Sequence, residues 1–199
     1  MKIIKINPFR QPEYVRQIAQ IYKGVFEGAP WYEIFKCPIC GDVYPSNCKM
    51  CENCEAHGML INLVEYWPIG NIITDFYKQM LKKNSLCFVA IHDEKIIGFS
   101  WGHEVSVDEK LDSYLGAPKL HTHLDKETYF YLDEIGVIAS GQRNGVGKEL
   151  ASEIFSHQRV RKIVLKTLKD SQMQRMIERM GGKTILHIPD ERIIMTLNL

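Results

Sequence analysis

The sequence lacks any marked excess of charge. Its 25 Lys and Arg nearly cancel its 24 Asp and Glu, leaving +1 over 199 residues. Such a balance gives no general electrostatic pull toward nucleic acid or an anionic membrane. Long apolar runs are missing too, so no segment reaches the roughly 20 residues needed to span a bilayer. The start, Met1-Lys2-Ile3-Ile4, does not read as a secretory signal. Internal repeats and low-complexity tracts are absent. What remains, 45% hydrophobic and 25% charged residues, fits a soluble globular chain with the cytoplasm as its default place. The length suits a single domain, 1–199, with a sizeable core and an insertion.

The six cysteines are unevenly distributed. Five of the six lie between positions 37 and 54. Cys37-Pro38-Ile39-Cys40-Gly41 is followed by Cys48, Cys51 and Cys54, then His57. Two-residue spacing lets both thiolates of a knuckle reach one tetrahedral ion, and the glycine permits the tight turn. Cys37 and Cys40 with Cys51 and Cys54 give two knuckles ten residues apart. Pairing Cys48 with Cys51 leaves only seven residues between knuckles, and His57 can replace one thiolate. The longer loop is preferred because a short one strains both turns. In a cytoplasmic chain a metal outranks a disulfide or free thiols, with zinc first and iron an alternative. Residues 34–60 are therefore read as a zinc-binding insertion. Being polar and poor in aliphatics, it needs ligation to fold. Cys-Pro-Ile-Cys-Gly resembles the first knuckle of zinc ribbons and rubredoxins. Cys87, in an apolar run, reads as a small buried hydrophobe.

Periodicity outlines the rest. Lys2 to Ile6 reads as a strand, and Pro12 opens a helix in which Val15, Ile18, Ala19, Tyr22, Val25 and Phe26 recur at helical spacing. A loop from Glu27 to Tyr32 leads to the insertion. A second helix is expected from Asn71, burying Ile72, Phe76, Tyr77, Met80 and Leu81. Leu86–His92 and Ile96–Glu104 form a hairpin around Asp93-Glu94-Lys95. Ser106 to Lys126 is a long polar connection, in which His121 and His123 read as surface histidines. Tyr129 to Ile138 is a strand, followed by a helix to His157. Lys162–Thr167, a helix from Ser171 to Met180, and a closing strand pair around Pro189-Asp190 complete the chain. Strand–helix–strand links predict parallel pairing in the second half. The fold class is a mixed α/β sheet with helices on both faces, carrying the insertion between its first two helices.

Gln142-Arg143-Asn144-Gly145-Val146-Gly147 sits between the Tyr129–Ile138 strand and its helix. Such a turn leaves backbone N–H groups facing outward, and the helix dipole adds positive potential, so it suits a diphosphate. The sequence is neither the six-residue dinucleotide fingerprint nor a Walker A loop.

With Leu132-Asp133-Glu134-Ile135-Gly136-Val137-Ile138 before it, the segment resembles the acetyl-CoA-binding motif of the GCN5-related N-acetyltransferases. That motif reads Arg or Gln, two residues, Gly, one residue, then Gly or Ala, and Gln142, Gly145 and Gly147 fit it. The resemblance implies that the amides from Gln142 to Gly147 hold the diphosphate of coenzyme A. It also implies that Ile135, Gly136 and Val137 offer main-chain groups to the pantetheine arm at a splayed bulge. It implies acetyl transfer from acetyl-CoA to a primary amine by direct attack. The acceptor classes are a small amine or polyamine, an amino acid, or a protein amine.

In polyamine-acetylating members an acidic residue four before the motif's valine is the base, which points to Asp133, with Glu134 kept as the alternative. Strand alternation puts these two side chains on opposite faces unless a bulge intervenes. The chain departs from the family in its last helix, where a tyrosine often protonates the leaving thiolate. Ile177 stands there and cannot. Tyr131, Tyr129 and His103 are candidate substitutes. The gap also admits a non-catalytic acyl-CoA sensor whose ribbon contacts a protein partner. The insertion is further a candidate surface for a homodimer, and its place suggests that it shapes access for the acceptor.

Overall fold

In the central strands apolar residues occupy both faces, and this dictates burial on both sides. In β5 (Leu86–His92) Leu86, Phe88 and Ala90 face one layer, while Cys87 and Val89 face the other. The computed structural model describes the chain except for residues 29, 30, 32, 45–47, 49 and 190. Parts of the Glu27–Tyr32 loop and of the Pro189-Asp190 turn thus lie outside the described residues.

The chain runs β1 (Lys2–Lys5), α1 (Pro12–Glu27), a small unit of β2 (Phe35–Lys36), β3 (Val43–Tyr44), α2 (Glu52–Ala56) and β4 (Val64–Glu65), then α3 (Ile69–Met80) and β5. There follow β6 (Lys95–Ser106), α4 (Glu109–Leu115), β7 (Thr128–Val137), α5 (Val146–His157), β8 (Lys162–Leu168), α6 (Gln172–Arg179), β9 (Lys183–Ile188) and β10 (Arg192–Asn198). The main sheet has the order β1-β5-β6-β7-β8-β10-β9. Helices α5 and α6 cover one face with Leu150, Ile154 and Ile177. Helices α1 and α3 cover the other with Ile18, Tyr22, Phe26, Ile72 and Phe76, and α4 extends that layer with Leu111 and Leu115. Each such side chain contributes about 1.5–3 kcal/mol by leaving water.

Several expectations are corrected. Only β7 and β8 pair in parallel, because β10 returns antiparallel between β8 and β9 and separates them. Helix α3 begins at Ile69, directly after Pro68, which is extended and makes no side-chain cap. Asn71 lies inside its first turn. Leu81 is 74% exposed, since the helix ends before it, and Tyr77 is only half-buried. Lys95 belongs to β6, and the hairpin turns on Asp93 and Glu94, both at positive φ.

The insertion forms its own sheet, β3-β2-β4, which carries the unit past residue 60 to Glu65. Its core is Cys37, Tyr44, Cys51 and Cys54, with no aliphatic among the fully buried members. Lys23 of α1 ties it down through an ion pair to Glu65, and also pairs with Glu27 within α1. Its feet, Ile34 and Tyr66, are joined by a 2.9 Å backbone bond.

Candidate active site and metal centre

A bulge in β7 organises the cleft. The β6–β7 register passes from Trp101–Glu134 to Gly102–Leu132, leaving Asp133 without an opposite residue. Gly102 is required there, since a Cβ would meet the Tyr131 carbonyl oxygen at 2.3 Å. The extra residue breaks the alternation that would send the two acids to opposite faces. Both carboxylates reach the α1 side. The Trp101 indole N–H donates to Asp133 Oδ2 at 3.1 Å, and the Tyr22 hydroxyl donates to Glu134 Oε1 at 3.1 Å. The two aromatic rings stack at 5.7 Å, so the carboxyls are held side by side.

Burial is the main influence on both acids. It raises Asp133 above the usual carboxylate range, against the Trp101 N–H, Lys82, the Tyr131 hydroxyl and Lys166. Glu134 is pushed up further by burial and by the charge of Asp133, with the Tyr22 hydroxyl opposing. Two neighbouring acids in one apolar pocket resist ionising together, so their titrations are coupled. Sequence reasoning missed the donors Trp101 and Tyr22 and the cations Lys82, Lys166 and Arg192. No local pattern signals them, because they converge from α1, the turn after α3, β6, β8 and β10.

The cleft wall is aromatic. The Trp67 ring stands edge-on to Tyr22 at 5.1 Å, and its N–H donates to Glu33 Oε2 at 3.1 Å. Arg192 Nη2 donates to the other Glu33 oxygen at 3.2 Å. Trp31 packs on Phe26 at 5.2 Å. Glu33 and Trp67 flank the insertion in sequence, so its stem builds this wall.

Past the bulge the sheet opens. β7 and β8 pair only from Phe130–Ile163 to Leu132–Leu165. Ile135, Gly136 and Val137 therefore have no partner on the β8 side among the described residues. Gly136 is fixed by packing, as a Cβ would strike the Phe99 ring at 2.5 Å. The seam leads to the predicted turn. Gln142 Nε2 donates to the Val137 carbonyl at 3.1 Å, and Asn144 Nδ2 to that of Ser140 at 3.3 Å. Arg143 and Gly145 take positive φ, 64° and 81°. Among the described residues no acceptor meets the amides from Arg143 to Lys148. A Cβ on Gly145 would touch nothing, and one on Gly147 only Val137 Cγ2 at 3.8 Å. The turn is open and rich in unpaired donors, which fits an anionic cofactor. Beside it a cavity of about 600 Å³, lined by Gln20, Gly24, Val25, Val137 and Gln142, separates α1 from the end of β7.

The substitutes for the missing acid fare differently. Tyr131 is buried with its hydroxyl toward Asp133. His103 is 2% exposed, and burial with nearby Lys82 pushes it down to about 3. It is therefore neutral near pH 7 and no proton donor. The Tyr129 ring lies near Lys162 rather than the acids. Ile177 is fully buried in the α5–α6 core. His121 is bound by Asp112, Nδ1 to Oδ2 at 2.6 Å, and His123 is exposed.

In the insertion the structure brings together Cys37, Cys40, Cys51 and Cys54, with all four sulfurs within 4.8 Å of one another. Cys37–Cys54 and Cys40–Cys51 sulfurs are 3.7 and 3.5 Å apart. A tetrahedral ion with metal–sulfur bonds of about 2.3 Å sets its ligands about 3.8 Å apart, so the residues fit zinc. Amides of Ile39 and Cys54 donate to Cys37 and Cys51 Sγ at 3.4 and 3.3 Å. Burial acts to raise Cys51, yet donation from Tyr44, the Cys54 amide and neighbouring thiols lowers it to about 6. Cys48 packs beside the group without joining it, and His57 turns away to the Asn53 carbonyl at 2.9 Å. Cys87 is buried in β5, and its burial pushes the thiol up.

The model of the family described as "Acetyltransferase (GNAT) family" matches residues 53–181, more than half of the chain. No curated protein matches the sequence. A Corynebacterium glutamicum structure described as "histone acetyltransferase HPA2 and related acetyltransferase" is 16% identical, covering 98% of this chain and 94% of that one, with a TM-score of 0.60. Arabidopsis thaliana NAA60 in complex with acetyl-CoA is 15% identical over 100% and 98%, with a TM-score of 0.54. The aminoglycoside 6'-N-acetyltransferase from Enterococcus faecium is 12% identical over 100% and 97%, with a TM-score of 0.56. At these identities the likeness is one of fold.

Proposed function

Because the chain belongs to the GNAT acetyltransferase family, we propose that it transfers an acetyl group from acetyl-CoA to a primary amine by direct attack. The observation that carries this reading is the open seam. It begins at Asp133 and Glu134, runs along Ile135, Gly136 and Val137, and ends at the unpaired amides from Arg143 to Gly147, while the Gln142 amide is taken by the Ile138 and Ala139 carbonyls.

Each part has a physical task. The amides and the α5 N-terminus hold the diphosphate, and the edge of β7 takes the amide groups of the pantetheine arm. The thioester then lies near the bulge. The acceptor nitrogen attacks its carbonyl carbon as Asp133 takes the amine proton, directly or through one water. Glu134, held by Tyr22, shares that proton. The tetrahedral intermediate collapses with cleavage of the C–S bond. The thiolate recovers its proton from the carboxyl pair or from water, since Ile177 offers none. The chain is read as one domain, 1–199, whose insertion starts at residue 34 and runs past residue 60 to the end of β4. One zinc ion on Cys37, Cys40, Cys51 and Cys54 holds the insertion folded and so fixes the stem residues Glu33 and Trp67 in the cleft wall.

The test is thiol release from acetyl-CoA across a panel of amines, with the acetylated product identified by mass. We expect turnover that Asp133→Asn lowers by about 10²–10⁴-fold. Tight binding of acetyl-CoA with no turnover on any amine would instead favour the sensor.

A further inference from the structure

The floor of the cleft carries cations that the acid pair does not neutralise. In the β8–β10 register Lys166 stands opposite Ile194, and Leu168 opposite Arg192. Val164 and Ile194 face the α4 layer, so Lys166 and Arg192 project from that same face as diagonal neighbours. The Lys166 ammonium donates to the Leu115 carbonyl at 3.1 Å and has no carboxylate partner among the described residues. Arg192 gives one nitrogen to Glu33, while its buried Nε finds no acceptor. Glu33 is already committed to Trp67 as well. The two cations feel each other: burial and the Arg192 charge lower Lys166, while Glu134 and Asp133 act the other way.

We propose that the acceptor is an amine that also bears a carboxylate, its nitrogen at Asp133 and Glu134 and its carboxylate against Lys166 and Arg192. This rests on the amine-acetylation reading above. Buried donors without acceptors are costly, and a guanidinium edge beside an ammonium is a fitting seat for a carboxylate. A polyamine would set its distal ammonium against these two cations and meet repulsion. Charge in the cleft is segregated rather than in excess: Asp133 and Glu134 lie at the bulge, and Lys166 and Arg192 one strand or two beyond. That is the pattern of a zwitterion.

The experiment compares each amino acid with its decarboxylated amine, tyrosine against tyramine and lysine against cadaverine. Thiol release is followed with acetyl-CoA. Binding is followed in parallel by quenching of Trp67 and Trp101 fluorescence in the protein loaded with coenzyme A. The carboxylate form should win in both by about tenfold or more. Lys166→Met should bring the ratio toward one, and Lys166→Arg should keep it. Equal or stronger binding of the decarboxylated amine overturns the proposal, whatever the turnover. So does a ratio that survives in both Lys166→Met and Arg192→Met. Carboxylate-selective binding with no turnover on any acceptor supports this inference and sinks the acetyl-transfer reading.

Discussion

Gly147 offers a test in which stability and binding move in opposite directions. It is the second residue of α5, follows Gly145 at the cap, and has room for a side chain. Gly147→Asp replaces a poor helix former and puts a negative charge in the first turn. The propensity gain of a few tenths and the dipole term of about 0.3–1 kcal/mol together make about 1 kcal/mol. For a domain of this size that raises Tm by about 2–4 °C. The same carboxylate would face the diphosphate. Two unit charges 4 Å apart repel by about 4 kcal/mol at an effective dielectric of 20. Even a screened third of that costs a tenfold loss of affinity. We expect acetyl-CoA affinity by calorimetry to fall at least about tenfold, with part of the loss relieved by salt. Gly147→Asn, similar in size but neutral, should lose less. A stabilised Asp variant that binds acetyl-CoA as well as the parent would refute the claim that these amides hold the diphosphate.

Two more outcomes follow from the bulge and the insertion. Glu134 has a folded pKa raised above its unfolded value, so the folded state binds the extra proton, and stability falls as pH climbs from the unfolded pKa toward the folded one. Glu134→Gln should therefore raise Tm at pH 8, with a gain that shrinks toward pH 4; a pH-independent gain would contradict the assignment. Elemental analysis should find one zinc per chain in the parent and in Cys48→Ser, and none in Cys51→Ser. Metal loss in Cys48→Ser would show that the ligand set differs.

Local chemistry made much of this legible. The knuckle spacing of Cys37, Cys40, Cys51 and Cys54 fixes a short-range geometry, and the glycines at 145 and 147 announce an open helix start. Buried strands such as Leu86–His92 stand out as apolar runs. What was hidden depends on partners far apart in sequence. The bulge at Asp133 relies on Gly102, thirty-one positions earlier, so strand alternation alone misplaced the acids. Arg192 meets Glu33 across 159 positions, and no pattern within β10 says that it inserts between β8 and β9. At α3, Pro68 outcompeted Asn71 as the start because tertiary packing sets the helix's position, and Leu81 then fell beyond its end.

The ribbon is planted in the cleft by Glu33 and Trp67, which grip each other where the chain departs and returns. Two binding events that share such a joint cannot be independent, and thermodynamics requires each to shift the other by the same factor. Under the function proposed above, a molecule that stiffens this joint from inside the cleft would make the four sulfurs hold a metal ion harder. By the same linkage, loss of that ion would slacken the joint and weaken retention of an amine acceptor.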